Sequence, residues 1–158
     1  MRETGVGPLD ATVAFDVKVL EKLLPAEVKI LPETVRIEGA ANYTVLRVWK
    51  DKELLMELES NGDRKAPRVT GVTVFTPRIA DEKGARIKAR MKSLYRHGDR
   101  PDCIPGAGRY TGRIFCTAAK SDHIIYVFGG EKPAKAGEMP PPAEYAKWRL
   151  TAIMWSAR

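Results

Sequence analysis

The sequence predicts an α+β fold: two helix–hairpin–strand modules, an internal duplication, packed as one domain around an antiparallel sheet. Three observations predict it. Helical spacing of apolar residues occurs twice, after Thr12 and again around Ile87–Tyr95. Each occurrence is followed by two β-like runs joined at a polar turn. Each pair is followed in turn by one more strand-like run, so the order repeats. The modules would occupy about residues 5–79 and 80–158 of a single domain spanning 1–158.

The first helix is signalled by Phe15, Val19 and Leu23 with Leu20 and Leu24, three and four residues apart, and Lys18, Glu21 and Lys22 opposite. Thr12 is placed to cap it and Pro25 to end it, because proline cannot continue the hydrogen-bond ladder. Val28 to Ile30 and Val35 to Ile37 read as short β pieces broken by Pro32 and Gly39. Tyr43 to Trp49, the turn Lys50-Asp51-Lys52 and Glu53 to Glu59 form a hairpin, and Val69 to Phe75 is a third strand. In the second half, Ile87, Met91, Leu94 and Tyr95 mark the second helix. Arg113 to Thr117 and Ile124 to Phe128 form the second hairpin, and Leu150 to Trp155 is the last strand. The hairpin turns align at an offset of about 70 residues, and the Pro-rich loop from Glu131 to Trp148 absorbs a longer offset at the last strands. The predicted core draws on both halves: Phe15, Leu20, Leu23, Leu24, Val45, Val48, Leu55, Val72, Val74, Ile87, Met91, Leu94, Ile125, Val127, Ile153 and Trp155.

At 158 residues the chain is long enough to bury a core without a metal. No run approaches the length of apolar sequence that crosses a membrane as a helix, and no signal-peptide pattern follows Arg2. The net charge of +7 is local. Nine basic residues between Lys83 and Arg113 face only Asp99 and Asp102, which leaves the whole excess in that segment. If Ile87, Met91, Leu94 and Tyr95 face a sheet, Lys83, Arg86, Lys88, Arg90, Lys92 and Arg96 spread over the outer arc of the helix. With Arg109 and Arg113 they form the candidate polyanion-binding set; the alternative is a merely solvated face.

Signals for catalysis are weak. His97 and His123 stand beside polar turns, and no nucleophile-elbow sequence surrounds a serine. His97, Cys103, Cys116 and His123 have zinc-binding chemistry without the close ligand pairs that zinc sites use. Gly106 to Gly112 resembles a phosphate loop but lacks the Gly-Lys-Ser/Thr ending and leads into a strand. Glu57 and Glu59 flank Leu58 on a strand, which reads as a solvated face rather than a carboxylate pair for hydrolysis. No catalytic residue, metal site or cofactor is expected. Two cysteines, Cys103 and Cys116, permit a disulfide or two free thiols.

Gly5-Val6-Gly7-Pro8-Leu9, a helix ending in Leu23-Leu24-Pro25, the Cys103…Gly112…Cys116 segment, Ile125-Tyr126-Val127-Phe128 and Ile153-Met154-Trp155 occur in that order. In this the chain resembles a family of bacterial envelope lipoproteins typified by the enterobacterial lipoprotein under sigma-E (envelope stress) control. The resemblance implies a periplasmic or outer-membrane domain, tethered through a lipidated cysteine that this sequence does not contain. In that oxidising compartment Cys103 and Cys116 would be bridged.

The leading functional expectation is a non-enzymatic binding or accessory module of the envelope, meeting anionic lipid, lipopolysaccharide or an envelope protein. The second is a periplasmic protein inhibitor like the lysozyme inhibitors, faintly suggested by the Gly-rich loop with Tyr110, although a basic domain would repel a basic lysozyme. The third is a nucleic-acid binder. Nucleic acid is not expected as a partner, because only Tyr95, Tyr110 and Phe115 accompany the basic segment and no recognition module is visible.

Overall fold

Strand alternation wins over helical spacing along most of this chain. The computed structural model describes residues 1–36, 41–95, 101–130 and 133–157. Helix α1 (Val17–Leu23) is followed by strands β1 (Lys29–Val35), β2 (Tyr43–Lys50), β3 (Glu53–Ser60) and β4 (Val69–Val74). After these come α2 (Met91–Leu94), β5 (Cys103–Pro105), β6 (Ile114–Thr117), β7 (Ile124–Gly129), α3 (Pro142–Tyr145) and β8 (Arg149–Ser156). All eight strands form one antiparallel sheet in the order β1-β2-β3-β4-β8-β7-β6-β5.

This corrects the α+β expectation. The α-helices among the described residues are short, and two helix–hairpin–strand modules are not what the chain builds; the protein is close to all-β. α1 starts later than predicted, with Asp16 rather than Thr12 as its cap, the Asp16 carboxylate accepting the Val19 N–H at 3.1 Å. The second predicted helix shrinks to the four residues of α2. Upstream of it Lys88 adopts a left-handed φ of 76°, which breaks helical geometry. β4 stops at Val74, leaving the first half of β8 without a partner on that side. The segment from Lys88 to Met91 fills the gap: the N–H groups of Lys88 and Met91 donate to Leu150 and Trp148, and Leu150 donates to Ala89. A free sheet edge offered these backbone groups better partners than a helix without a side-chain cap could.

β1 runs unbroken through Pro32, where two fragments were expected. It is an edge strand, and proline is tolerated there because one side of the ladder needs no donor. β5 carries no sequence signal of its own and exists through pairing with β6.

The main core covers one face of the sheet with Leu46, Val48, Met56, Leu58, Val72, Val74, Ile153, Trp155, Tyr126 and Phe128, closed over by Val6, Leu9, Leu20, Ile87 and Met91. On the opposite face Val127, Ala152 and Tyr110 bury one another, with Phe75, Phe115 and Met154 packed around them. Two predicted core residues lie outside. Leu23 is exposed on α1, and Ile125 is exposed because β7 turns it away from the main core, to the second face. Phe15, Leu24 and Leu94 are half-buried.

Candidate functional site: a buried ionic clamp and an open cationic cleft

Cys103 and Cys116 are directly opposite in the β5–β6 register and are bridged, with Cα atoms 4.1 Å apart. The bridge staples a hairpin whose loop folds back across the second face of the sheet. Gly106 permits the fold, since a Cβ there would stand 2.3 Å from the Tyr110 carbonyl oxygen. Tyr110 packs over β7 and β8, and the guanidinium groups of Arg109 and Arg113 lie 5.1 and 5.7 Å from its ring centre.

Arg109 reaches β3. Its guanidinium lies 2.5 Å from the Glu57 carboxylate and 3.3 Å from that of Glu59. Glu57, 1% exposed, is also held by Arg47 at 3.0 Å, and Arg47 meets Glu33 at 2.5 Å. Burial depresses the Arg109 guanidinium, and Glu57 with Tyr110 and Tyr43 more than reverses this, leaving its pKa raised. Burial likewise raises the Glu59 carboxyl, although Arg109 pulls it down. The solvated face expected for Glu57 and Glu59 is thus a covered ionic network. The sequence signal was missed because the cover comes from a loop 50 residues away in sequence. Two arginines thus meet three carboxylates, and Arg109, alone of the candidate polyanion set, is paired with acidic side chains among the described residues.

The remaining candidates divide. Lys83 donates to the Ala119 carbonyl, and Arg86 donates to those of Pro77 at 2.8 Å and Arg78 at 3.2 Å. Lys92 is exposed on α2. Arg96, like His97, lies outside the described residues. Lys88, Arg90 and Arg113 gather at one end of the sheet with two cations that the sequence reading did not single out, Lys147 and Arg149. The pairing explains how. Arg90 stands opposite Arg149, and Arg149 opposite Gly129. Arg113 lays its stem over Gly129, with Cγ 3.7 Å from where a Cβ would stand. Three arginines therefore share one row across the sheet, about 4.8 Å from strand to strand. Like charges directly opposite destabilise a sheet. Among the described residues none of these five cations has an ion pair; Arg149 donates to the Lys88 carbonyl at 3.1 Å.

Beside this row lies a cleft of about 900 Å³ lined by Lys88, Lys147, Trp148 and Arg149, with Glu144 as its single carboxylate among the described residues. Trp148 is pressed against Gly130, where a Cβ would fall 2.2 Å from the indole nitrogen.

A third cluster has the residue types of a hydrolytic triad without its hydrogen bonds. Against the opposing effect of burial, the Ser121 side chain and the backbone N–H groups of Asp122 and His123 hold the Glu3 carboxyl below its ordinary value. His123 Nδ1 meets the Ser156 carbonyl at 2.7 Å, not Ser121.

What this geometry defines is a disulfide-stapled β-sheet domain, its charges divided between a paired ionic clamp and an open cationic cleft. The chain belongs to the DUF1131 family, described as a protein of unknown function, whose family model matches residues 1–157. It is 26% identical over 156 residues to the uncharacterized protein YfeY of Escherichia coli K12, covering 97% of this chain and 77% of that protein. Its fold is similar to the crystal structure of yfeY from Escherichia coli, with a TM-score of 0.80 at 22% identity over 99% of each chain.

Proposed function

We propose that this chain is a non-enzymatic accessory domain of the bacterial envelope that holds to an anionic lipid or lipopolysaccharide surface. The observation that carries the reading is the arginine row: Arg90 faces Arg149 directly, Arg113 continues the line, and no carboxylate pairs with any of them among the described residues. A protein accepts such a local cost where an external anion offsets it. The resemblance to envelope lipoproteins supports a periplasmic setting, a lipid tether and production under envelope stress. The bridged cysteines agree with an oxidising compartment. Two other readings fit the geometry less well. Tyr110 is buried and Arg109 is bound to Glu57, so the Gly-rich loop does not present the side chains an inhibitor would insert into an enzyme. Tyr95 is packed against Tyr126 and Phe128, which removes it as a stacking platform for bases.

Co-sedimentation with phosphatidylglycerol vesicles at low and physiological salt tests the reading. Wild type should bind at low salt, with affinity falling steeply as salt rises. Arg90→Glu/Lys92→Glu, two exposed positions, should reduce binding at least tenfold with Tm unchanged or raised, since a carboxylate opposite Arg149 replaces a like-charge pair. Equal binding by the two proteins, or none by wild type at low salt, overturns it.

A further inference from the structure

We infer that the cleft between Lys88, Lys147 and Arg149 is a binding site for a phosphomonoester carried on a sugar-sized body, the chemistry of a phosphorylated-sugar headgroup. The inference rests on the surface-binding reading and narrows it to one site. Charge is the first reason. Among the described residues three cations and Glu144 leave the cleft at +2, and a phosphomonoester carries about −1.5 to −2 at neutral pH, a match that a carboxylate does not make. Donor geometry is the second. Arg149 offers a planar fork and the two lysines offer movable point donors. The Trp148 indole N–H, which has no acceptor among the described residues, adds a neutral donor at the cleft wall. A tetrahedral oxyanion accepts from several directions at once. Size is the third. About 900 Å³ is far more than one phosphate fills and falls within the range of small-molecule sites.

The backbone keeps the site open. Gly129 stands where a side chain would project between Arg113 and Arg149, and Gly130 lets the Trp148 ring lie against the strand end. Arg149 is held by its bond to the Lys88 carbonyl, so part of its ordering cost is met before a ligand arrives.

Calorimetry with glucose 1-phosphate, inorganic phosphate and glucuronate tests the assignment on the folded chain. Glucose 1-phosphate should bind in the sub-millimolar range, inorganic phosphate at least fivefold more weakly and glucuronate not measurably. Arg149→Gln and Lys147→Gln should each weaken glucose 1-phosphate at least tenfold at unchanged Tm. If Arg149→Gln alone lowers Tm, Lys147→Gln decides, because Lys147 is exposed and its side chain has no ion pair among the described residues. Equal binding of glucuronate and glucose 1-phosphate, or full binding by Lys147→Gln, overturns the site. Vesicles bearing a phosphorylated-glucosamine lipid separate headgroup from free ligand: excess glucose 1-phosphate should release the protein from them. Retention there with no binding of glucose 1-phosphate overturns the cleft and leaves the surface reading standing. Binding of glucose 1-phosphate with no binding to any vesicle overturns the surface reading and its headgroup source.

Discussion

Arg109 and Glu57 are paired at 2.5 Å across the sheet, one on a hairpin loop at its far edge and the other in the middle of β3. The loop passes over β7 and β8 to make this contact, with Tyr110 as its footing. The ion pair and the disulfide therefore hold the same hairpin from its two ends.

Removing Arg109 leaves Glu57 buried with Arg47 as its remaining cation. Breaking a buried pair costs on the order of 3 kcal/mol, and Arg47 should hold the loss toward or below that figure. Replacing both partners by apolar residues of similar shape is far less costly. Urea denaturation of Arg109→Met, Glu57→Leu and the double variant should show strong coupling, with the double variant more stable than the sum of the singles predicts. Strict additivity would mean that the pair does not act as a unit.

The disulfide closes a loop with a sequence separation of 13. In the chain-entropy model a loop of that size contributes about 3 kcal/mol. Cys103→Ser/Cys116→Ser should lose roughly that much by denaturation and still fold, because Tyr110 and Arg109 continue to hold the hairpin. Mass spectrometry of protein from an oxidising compartment should find no alkylatable thiol; two free thiols would refute the bridge.

Glu59 supplies a pH signature. Its folded pKa is raised from the ordinary 4.5, burial outweighing Arg109. The folded protein thus holds this proton more tightly than the unfolded chain. That contribution to stability is complete below 4.5 and is lost as pH rises through the folded value. Glu59→Gln has no such proton to lose. The variant's stability relative to wild type should therefore rise between about pH 4 and pH 7. Parallel stability curves across that window would show that Glu59 titrates normally. The lowered carboxyls of Glu3 and Asp10 act in the opposite sense in both proteins and cancel in the difference.

The sequence alone determined the strands. Alternation and β-branched content mark Tyr43 to Trp49, Glu53 to Glu59, Val69 to Phe75, Ile124 to Phe128 and Leu150 to Trp155, and all of these lie in strands over most or all of their length. The localised charge of the second half was legible too, because counting needs no geometry. Tertiary structure decided the rest. Ile87, Met91, Leu94 and Tyr95 satisfy helical spacing, yet the unpaired edge of β8 captured the backbone before Met91, since a free ladder edge outweighs a weak local propensity. Glu57 alternates like an exposed strand residue and is buried because Arg109 arrives from 52 positions away with the charge that permits it. Arg149 and Lys147 join Lys88 and Arg90 for the same reason. Sheet pairing brings together residues that sequence distance keeps apart, and a site built across strands has no spacing of its own to read.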